Sequence, residues 1–152
     1  MDKQHLTLSA SLAELRRLSD AVAEFCRANG VGEKSCYTLQ LACDEWVTNV
    51  IVHGYGKDKP ESPDSRPIEV TLERAGGTSL RLVFEDEAPA FDPLALPEPD
   101  VTLPMEEREI GGLGVHFLRT MMDECRYERV DGRNRLILIK KLRESQEGGG
   151  QQ

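Results

Sequence analysis

The sequence predicts an α/β two-layer sandwich: a mixed, mostly antiparallel sheet with helices packed on one face. Three observations lead there. Apolar residues alternate with polar ones in paired late segments, which reads as hairpins. Two helical-period segments stand side by side near the N-terminus. The element order is β-α-α-β-β-(long connection)-α-β-β, whose paired strands suit an antiparallel sheet rather than a doubly wound parallel one.

Each element has its own signal. "HLTLSAS" is short and alternating, and suits one strand. Ser11 then caps a helix, with Glu14 three residues on completing a capping box. Leu12, Leu15, Leu18, Val22 and Phe25 follow at helical spacing, and "ANG" at 28–30 stops it. A second helix is expected from about Glu33 to His53, ending at Gly54 and Gly56. "KDKPESPDSRP" is a polar, proline-rich loop. Ile68, Val70 and Leu72 alternate with Glu69, Thr71 and Glu73; after "AGG", Leu80, Leu82 and Phe84 alternate again.

From Glu87 to Glu109 the pattern dissolves, with Pro89, Pro93, Pro97, Pro99 and Pro104 among many acids. An unpatterned connection of this length is uncommon inside a domain and often functional. "GGLGVHFLRTMMDE" reads as a glycine loop opening a third helix, and "RYERV", "DG", "RLILIKKL" as a closing hairpin. The expected organisation is one domain over 1–142, with 143–152 a disordered polar tail.

The 152 residues suffice for one core, and the composition is that of a soluble globular chain, 39% hydrophobic and 30% charged. With 19 basic and 27 acidic residues the net charge is −8, which argues against direct nucleic-acid binding and against adsorption to anionic lipid. No apolar run approaches the roughly 20 residues of a spanning helix, and the N-terminus lacks a signal-peptide core. The expected location is cytoplasmic. Cys26, Cys36, Cys43 and Cys125 show no paired spacing and read as buried free thiols.

Three short motifs carry the chemistry. In "LACDEWVTNVIVHGYG", Glu45, Asn49 and His53 recur every four residues. Such a step advances about 40° past a full turn and rises about 6 Å, so the three form one winding row. Leu39, Cys43, Trp46, Val47 and Val50 face the core instead. The row is either a solvent face or, since Leu41 and Val52 flank it, a half-buried polar ridge that needs partners. A carboxamide suits Mg²⁺ already neutralised by phosphates, and a carboxylate one turn away can accept a proton from a hydroxyl. In "FEDEAPAFDP", Asp86 ends an apolar strand at the mouth of the sheet. It can accept from an exocyclic amine, or be an ordinary acidic turn. In "IGGLGVHFLRTMMDE", clustered glycines before a helix let backbone N–H groups approach an anion, or serve only as a hinge. Neither the Rossmann nor the P-loop spacing is present.

The ordered set "ExxxNxxxHG" at 45–54, "DEAPAFDP" at 86–93 and "GGLG" at 111–114 resembles the Bergerat-fold ATPases, and most closely the bacterial anti-sigma-factor serine/threonine kinases. The resemblance spans roughly residues 5 to 142. It implies a Bergerat ATPase fold with ATP and Mg as cofactors. Glu45 is then the catalytic base activating a substrate serine, Asn49 the Mg ligand, and His53 a residue lining the site. Asp86 reads the adenine amine beside Ala88. Gly112, Leu113 and Gly114 form the phosphate-binding segment, with Gly112 and Gly114 offering amides, and 93–110 is the lid.

The implied partners are a sigma factor and a STAS-type anti-anti-sigma protein as phosphorylation substrate. The first helix would contribute to the partner surface and to a homodimer. Arg16 and Arg17 are the partner-binding candidates there, a solvated basic pair being the alternative reading. A non-catalytic module that only sequesters its partner is the alternative function. Two departures from the family pattern stand out. Ala88 replaces a common glycine, and "NRLILIKKL" offers no hydroxyl near the adenine, so that contact is expected to be lost or made through water.

Overall fold

Alternation gives each strand one apolar face, and the faces can be buried together only if the strands pair in register. The computed structural model describes residues 3–57, 66–95 and 112–142, the side chains of Lys57 and of residues 112–115 excepted. Its strands are β1 (Lys3–Leu8), β2 (Ile68–Ala75), β3 (Ser79–Asp86), β4 (Glu124–Val130) and β5 (Arg133–Lys141). They form one sheet in the order β1-β2-β3-β5-β4.

Among the described residues every pairing is antiparallel, so the sheet is not mixed. The reason lies in how the last hairpin enters. Its second strand, β5, takes the place beside β3 and leaves β4 at the edge; the opposite insertion would have made a parallel pair. The β2–β3 turn uses Gly76 and Gly77 at φ 65° and 78°, and the β4–β5 turn uses Asp131 and Gly132 at φ 52° and 77°. This left-handed region is the one an Asp-Gly hairpin turn demands.

Three successive rows of the inward face lead toward one end of the sheet. Leu72, Leu82, Leu138 and Cys125 make one, and Val70, Phe84, Leu136 and Tyr127 the next. The third, Ile68, Asp86, Asn134 and Arg129, sits at the end of the sheet and turns polar.

The helices α1 (Leu15–Ala28), α2 (Glu33–Asn49) and α3 (Gly112–Met121) supply the other half of the core. Leu18, Val22 and Phe25 of α1 and Leu39, Cys43, Trp46 and Val47 of α2 are buried against the sheet, as the periodicity requires. Cys26 and Cys43 are buried as expected, whereas Cys36 and Cys125 are only half-buried; all four are free thiols. Burial pushes the Cys43 thiol far up, so it stays an inert, protonated hydrophobe.

The first helix starts differently from the expected capping box. Ser11 accepts from the Ala13 amide at 3.3 Å, and a short 3₁₀ turn, Leu12–Glu14, precedes α1. The Glu14 carboxylate reaches the Ser9 amide at 3.1 Å instead of that of Ser11. Arg17 closes the arrangement, donating to Glu14 at 3.0 Å and to the Thr7 carbonyl at 2.6 Å. These bonds hold the Glu14 carboxyl below its ordinary pKa. Arg17 thus ties α1 to the end of β1, while exposed Arg16 pairs loosely with Asp20 at 3.6 Å.

Candidate active site

The second helix does not run to His53 in α geometry. It ends at Asn49, continues as a π turn over Val50–Gly54 and closes as a 3₁₀ turn over Tyr55–Lys57. A π turn advances less per residue than an α turn, so it swings His53 back toward the azimuth of Asn49. Single π turns of this kind recur at functional sites. Tyr55 locks the end of the segment: its buried hydroxyl donates to the Pro67 carbonyl at 2.8 Å and accepts from the Glu87 amide at 2.6 Å. Burial pushes the Tyr55 phenol up to about 12, which keeps that donor in place across the physiological range.

Between this segment and the polar end of the sheet lies a cleft of about 140 Å³. Asn49, Val50, His53 and Gly54 form one wall; Asp86, Ala88, Phe91 and Asn134 form the other. Trp46 lies at the base, stacked on Phe91 with ring centroids 6.2 Å apart and planes 16° apart. Its indole N–H is buried without a hydrogen-bond partner among the described residues. An orphaned buried donor of this kind is uncommon in a folded chain.

Asp86 is the charged group of the cleft, 1% exposed. Loss of water around it raises its pKa, against which the Asn134 and Ala88 hydrogen bonds and the charges of Arg129 and Arg133 work. Both bonds fall on one oxygen: Oδ1 accepts from Asn134 Nδ2 at 2.9 Å and from the Ala88 amide at 3.0 Å. The other oxygen, Oδ2, has no partner among the described residues. A buried acceptor beside a flat apolar slot is what an exocyclic amine on an aromatic base can satisfy.

The sequence-predicted residues divide accordingly. Asn49, His53, Asp86 and Ala88 meet in the cleft. Glu45 is exposed one turn before Asn49 and does not line it. Gly112, Leu113 and Gly114 form the first turn of α3, where backbone N–H groups have no intrahelical acceptor. Most of the expected lid, residues 96–110, lies outside the described residues.

A model of the histidine kinase-like ATPase domain matches residues 8–140, nearly the whole chain. The chain belongs to this ATPase family. Membership implies that the domain binds ATP. Serine/threonine-protein kinase BtrW of Bordetella bronchiseptica is 29% identical over 102 residues, covering 67% of this chain and 68% of that one. The anti-sigma F factor of Clostridium novyi is 29% identical over 128 residues, 80% of each chain. Among solved structures, that of the RsbU and RsbW domains of Rv1364c from Mycobacterium tuberculosis matches with a TM-score of 0.67. At 18% identity that match shows the fold; it covers 93% of this chain, which spans one third of the longer one.

Sequence reasoning missed several members of this cleft. Trp46 was legible only as a core residue and Phe91 was given no role, because stacking across 45 positions leaves no local signal. Asn134 is the larger omission. "NRLILIKKL" lacks a hydroxyl, but its first residue brings a carboxamide to Asp86, so the late strand does contribute a polar partner. The signal was present: Asn134 stands two residues before Leu136, Asp86 two after Phe84, and both alternations continue onto the buried face. Val52, expected to flank the ridge as apolar cover, is instead exposed.

Proposed function

We propose that this ATPase-family chain is a protein serine/threonine kinase acting as an anti-sigma factor. It would transfer the γ-phosphoryl group of ATP to a serine or threonine of a STAS-type antagonist and hold a sigma factor while that antagonist is phosphorylated. The single observation that supports it most is the convergence of Asn49 and Asp86 on one cleft from opposite layers. The names of the two curated relatives, a serine/threonine-protein kinase and an anti-sigma factor, point the same way.

Each residue then has a task. Asp86 Oδ2 accepts from the adenine amine, and the Trp46–Phe91 pair forms the apolar side of the base slot. The first-turn amides of α3, at Gly112, Leu113 and Gly114, are suited to phosphate oxygens. Magnesium fits as part of the nucleotide complex rather than in a cage of its own. Among the described residues no group of three acidic, histidine or cysteine side chains could hold a metal, while the Asn49 carboxamide is a neutral hard donor at the cleft. When bound, the ion would neutralise charge on the phosphates.

Exposure of Glu45 suits its proposed role. A base that takes the proton of a protein substrate's hydroxyl must be reachable from outside, and Glu45 is exposed one turn before Asn49. The experiment is to recover the chain with its partners from native extract, add γ-labelled ATP, and look for labelled serine or threonine on a small co-purifying protein. Binding of a partner with no ATP-dependent label would favour the sequestering module instead.

A further inference from the structure

We infer that Asn134 is a positioning residue that sets the base selectivity of the cleft: it fixes the Asp86 carboxylate so that a single oxygen is left to receive an amino donor. The inference rests on the reading of the cleft as an ATP site and names the device behind its specificity.

The geometry leaves the Asn134 carboxamide no freedom. It is 3% exposed and directly opposite Asp86 in the β3–β5 register. Its Nδ2 donates to Asp86 Oδ1 at 2.9 Å and lies 3.1 Å from both the Ala88 and Pro89 carbonyls. Its Oδ1 accepts from Arg129 Nη1 at 3.1 Å, from the Phe91 amide at 3.3 Å and from the Tyr127 hydroxyl. Carbonyls can only accept, and amide or guanidinium N–H groups can only donate, so the partners themselves decide which end is oxygen. A flipped amide would oppose like to like on both sides.

Two consequences follow. Both ends of the Asn134 amide are occupied, so it has nothing left to offer a nucleotide and acts only through others. Through Asp86 it spends Oδ1 and leaves Oδ2. Through Ala88, Pro89 and Phe91 it pins the segment that walls the base slot, with Arg129 adding a bond to the Ala88 carbonyl at 2.9 Å. The acceptor and the plane it addresses are therefore set by one side chain. A purine with an amino group at C6 satisfies Oδ2; one with a carbonyl there opposes acceptor to acceptor.

The test compares Mg-ATP with Mg-inosine triphosphate, which differ at that C6 group, by calorimetric titration of the full chain. Wild type should prefer ATP on the order of tenfold or more. Asn134→Leu, close in shape but with no donor, should weaken ATP on the order of tenfold and leave inosine triphosphate within twofold, collapsing the ratio. Inosine triphosphate is the internal control for folding and for the phosphate site. A second readout is the pH dependence of the ratio. Losing a hydrogen bond that favours the ionised carboxyl should move the acid limb of ATP preference to higher pH. Arg129 of β4, Arg133 of β5, Tyr55, His53 and Glu87 also border the site; the ratio cancels those acting on both nucleotides alike.

Tyr127→Phe removes only a hydroxyl behind Asn134 and should lower the ratio several-fold; it decides alone if Asn134→Leu does not fold. An undiminished ratio in the folded variants, or both nucleotides weakened in parallel, overturns the inference. Wild type binding neither nucleotide would instead remove the ATP reading itself, and the inference with it.

Discussion

The cleft has two walls built on different physical terms. The α2 ridge carries its polar groups at local spacing: Asn49 and His53 line the cleft and are half-buried, and Glu45, one turn before them, is exposed outside it. The rung across β3 and β5 carries Asp86 and Asn134 at 1% and 3% exposure, bonded to each other across 48 positions of sequence. The ridge is open and its side chains can follow a substrate. The rung is closed, and each of its polar atoms but one has a protein partner among the described residues. The contrast fits the proposed division, chemistry at the ridge and recognition at the rung, since a proton acceptor must be reached whereas a selective acceptor must be held still.

The strongest way to break this division is Glu45→Gln. A well-placed base contributes typically ~10²–10⁴-fold. The change should therefore remove most phosphoryl transfer and leave the ATP dissociation constant unchanged. Transfer at the wild-type rate would show that the open wall does no proton chemistry.

Asp86→Asn tests the other wall. The carboxamide oxygen can keep the two bonds at Oδ1, which places an NH₂ where Oδ2 was. A donor then faces the base, and preference should turn from ATP toward inosine triphosphate. With a buried mismatch worth about 1–3 kcal/mol, the swing is about 5- to 150-fold. An unchanged order of preference, measured by competition titration, would mean that Asp86 does not touch the base.

The same substitution gives a stability prediction. Burial raises the Asp86 pKa in the folded chain. A carboxyl shifted upward favours the fold below its unfolded pKa of about 3.9, and that contribution is lost as pH rises through the folded value. At neutral pH the ionised, ligand-free carboxylate is therefore a net cost that Asp86→Asn removes. The melting temperature of Asp86→Asn should exceed that of wild type at pH 7 by a few degrees, and the gap should close as pH falls toward 4. A gap that widens on acidification would contradict the direction of the shift.

Legibility followed the same line between the walls. Helices α1 and α2 and the two hairpins were readable because their signals, period 3.6, period 2 and glycine turns, repeat within a few residues. Glu45, Asn49 and His53 were readable as a row for that reason, and Asn49 and His53 line the cleft. The π turn was not, since widening one turn changes no residue type. The placement of β5 beside β3 was not readable either, because alternation says which face is buried and not which strand is the neighbour. Asn134 fell on the wrong side of that limit: its partner is chosen by register, and register is set by the whole sheet.

The walls touch where Gly54 of the π turn faces Ala88. A Cβ on Gly54 would lie 3.1 Å from the Ala88 Cβ, tighter than ordinary packing. One methyl fits between the layers, and this chain places it on residue 88. Gly54→Ala should thus destabilise by about 1 kcal/mol, at the low end of overpacking effects. Ala88→Gly on that background should recover most of the loss, by moving the methyl to the other layer. In a double-mutant cycle by denaturant melts, the coupling should approach the cost of Gly54→Ala itself, as for side chains in direct contact. Additive effects would mean that the π turn, and not the contact with the sheet, is what excludes a side chain at 54. The two walls would then be independent, and the ridge and the rung could be varied separately without one resetting the other.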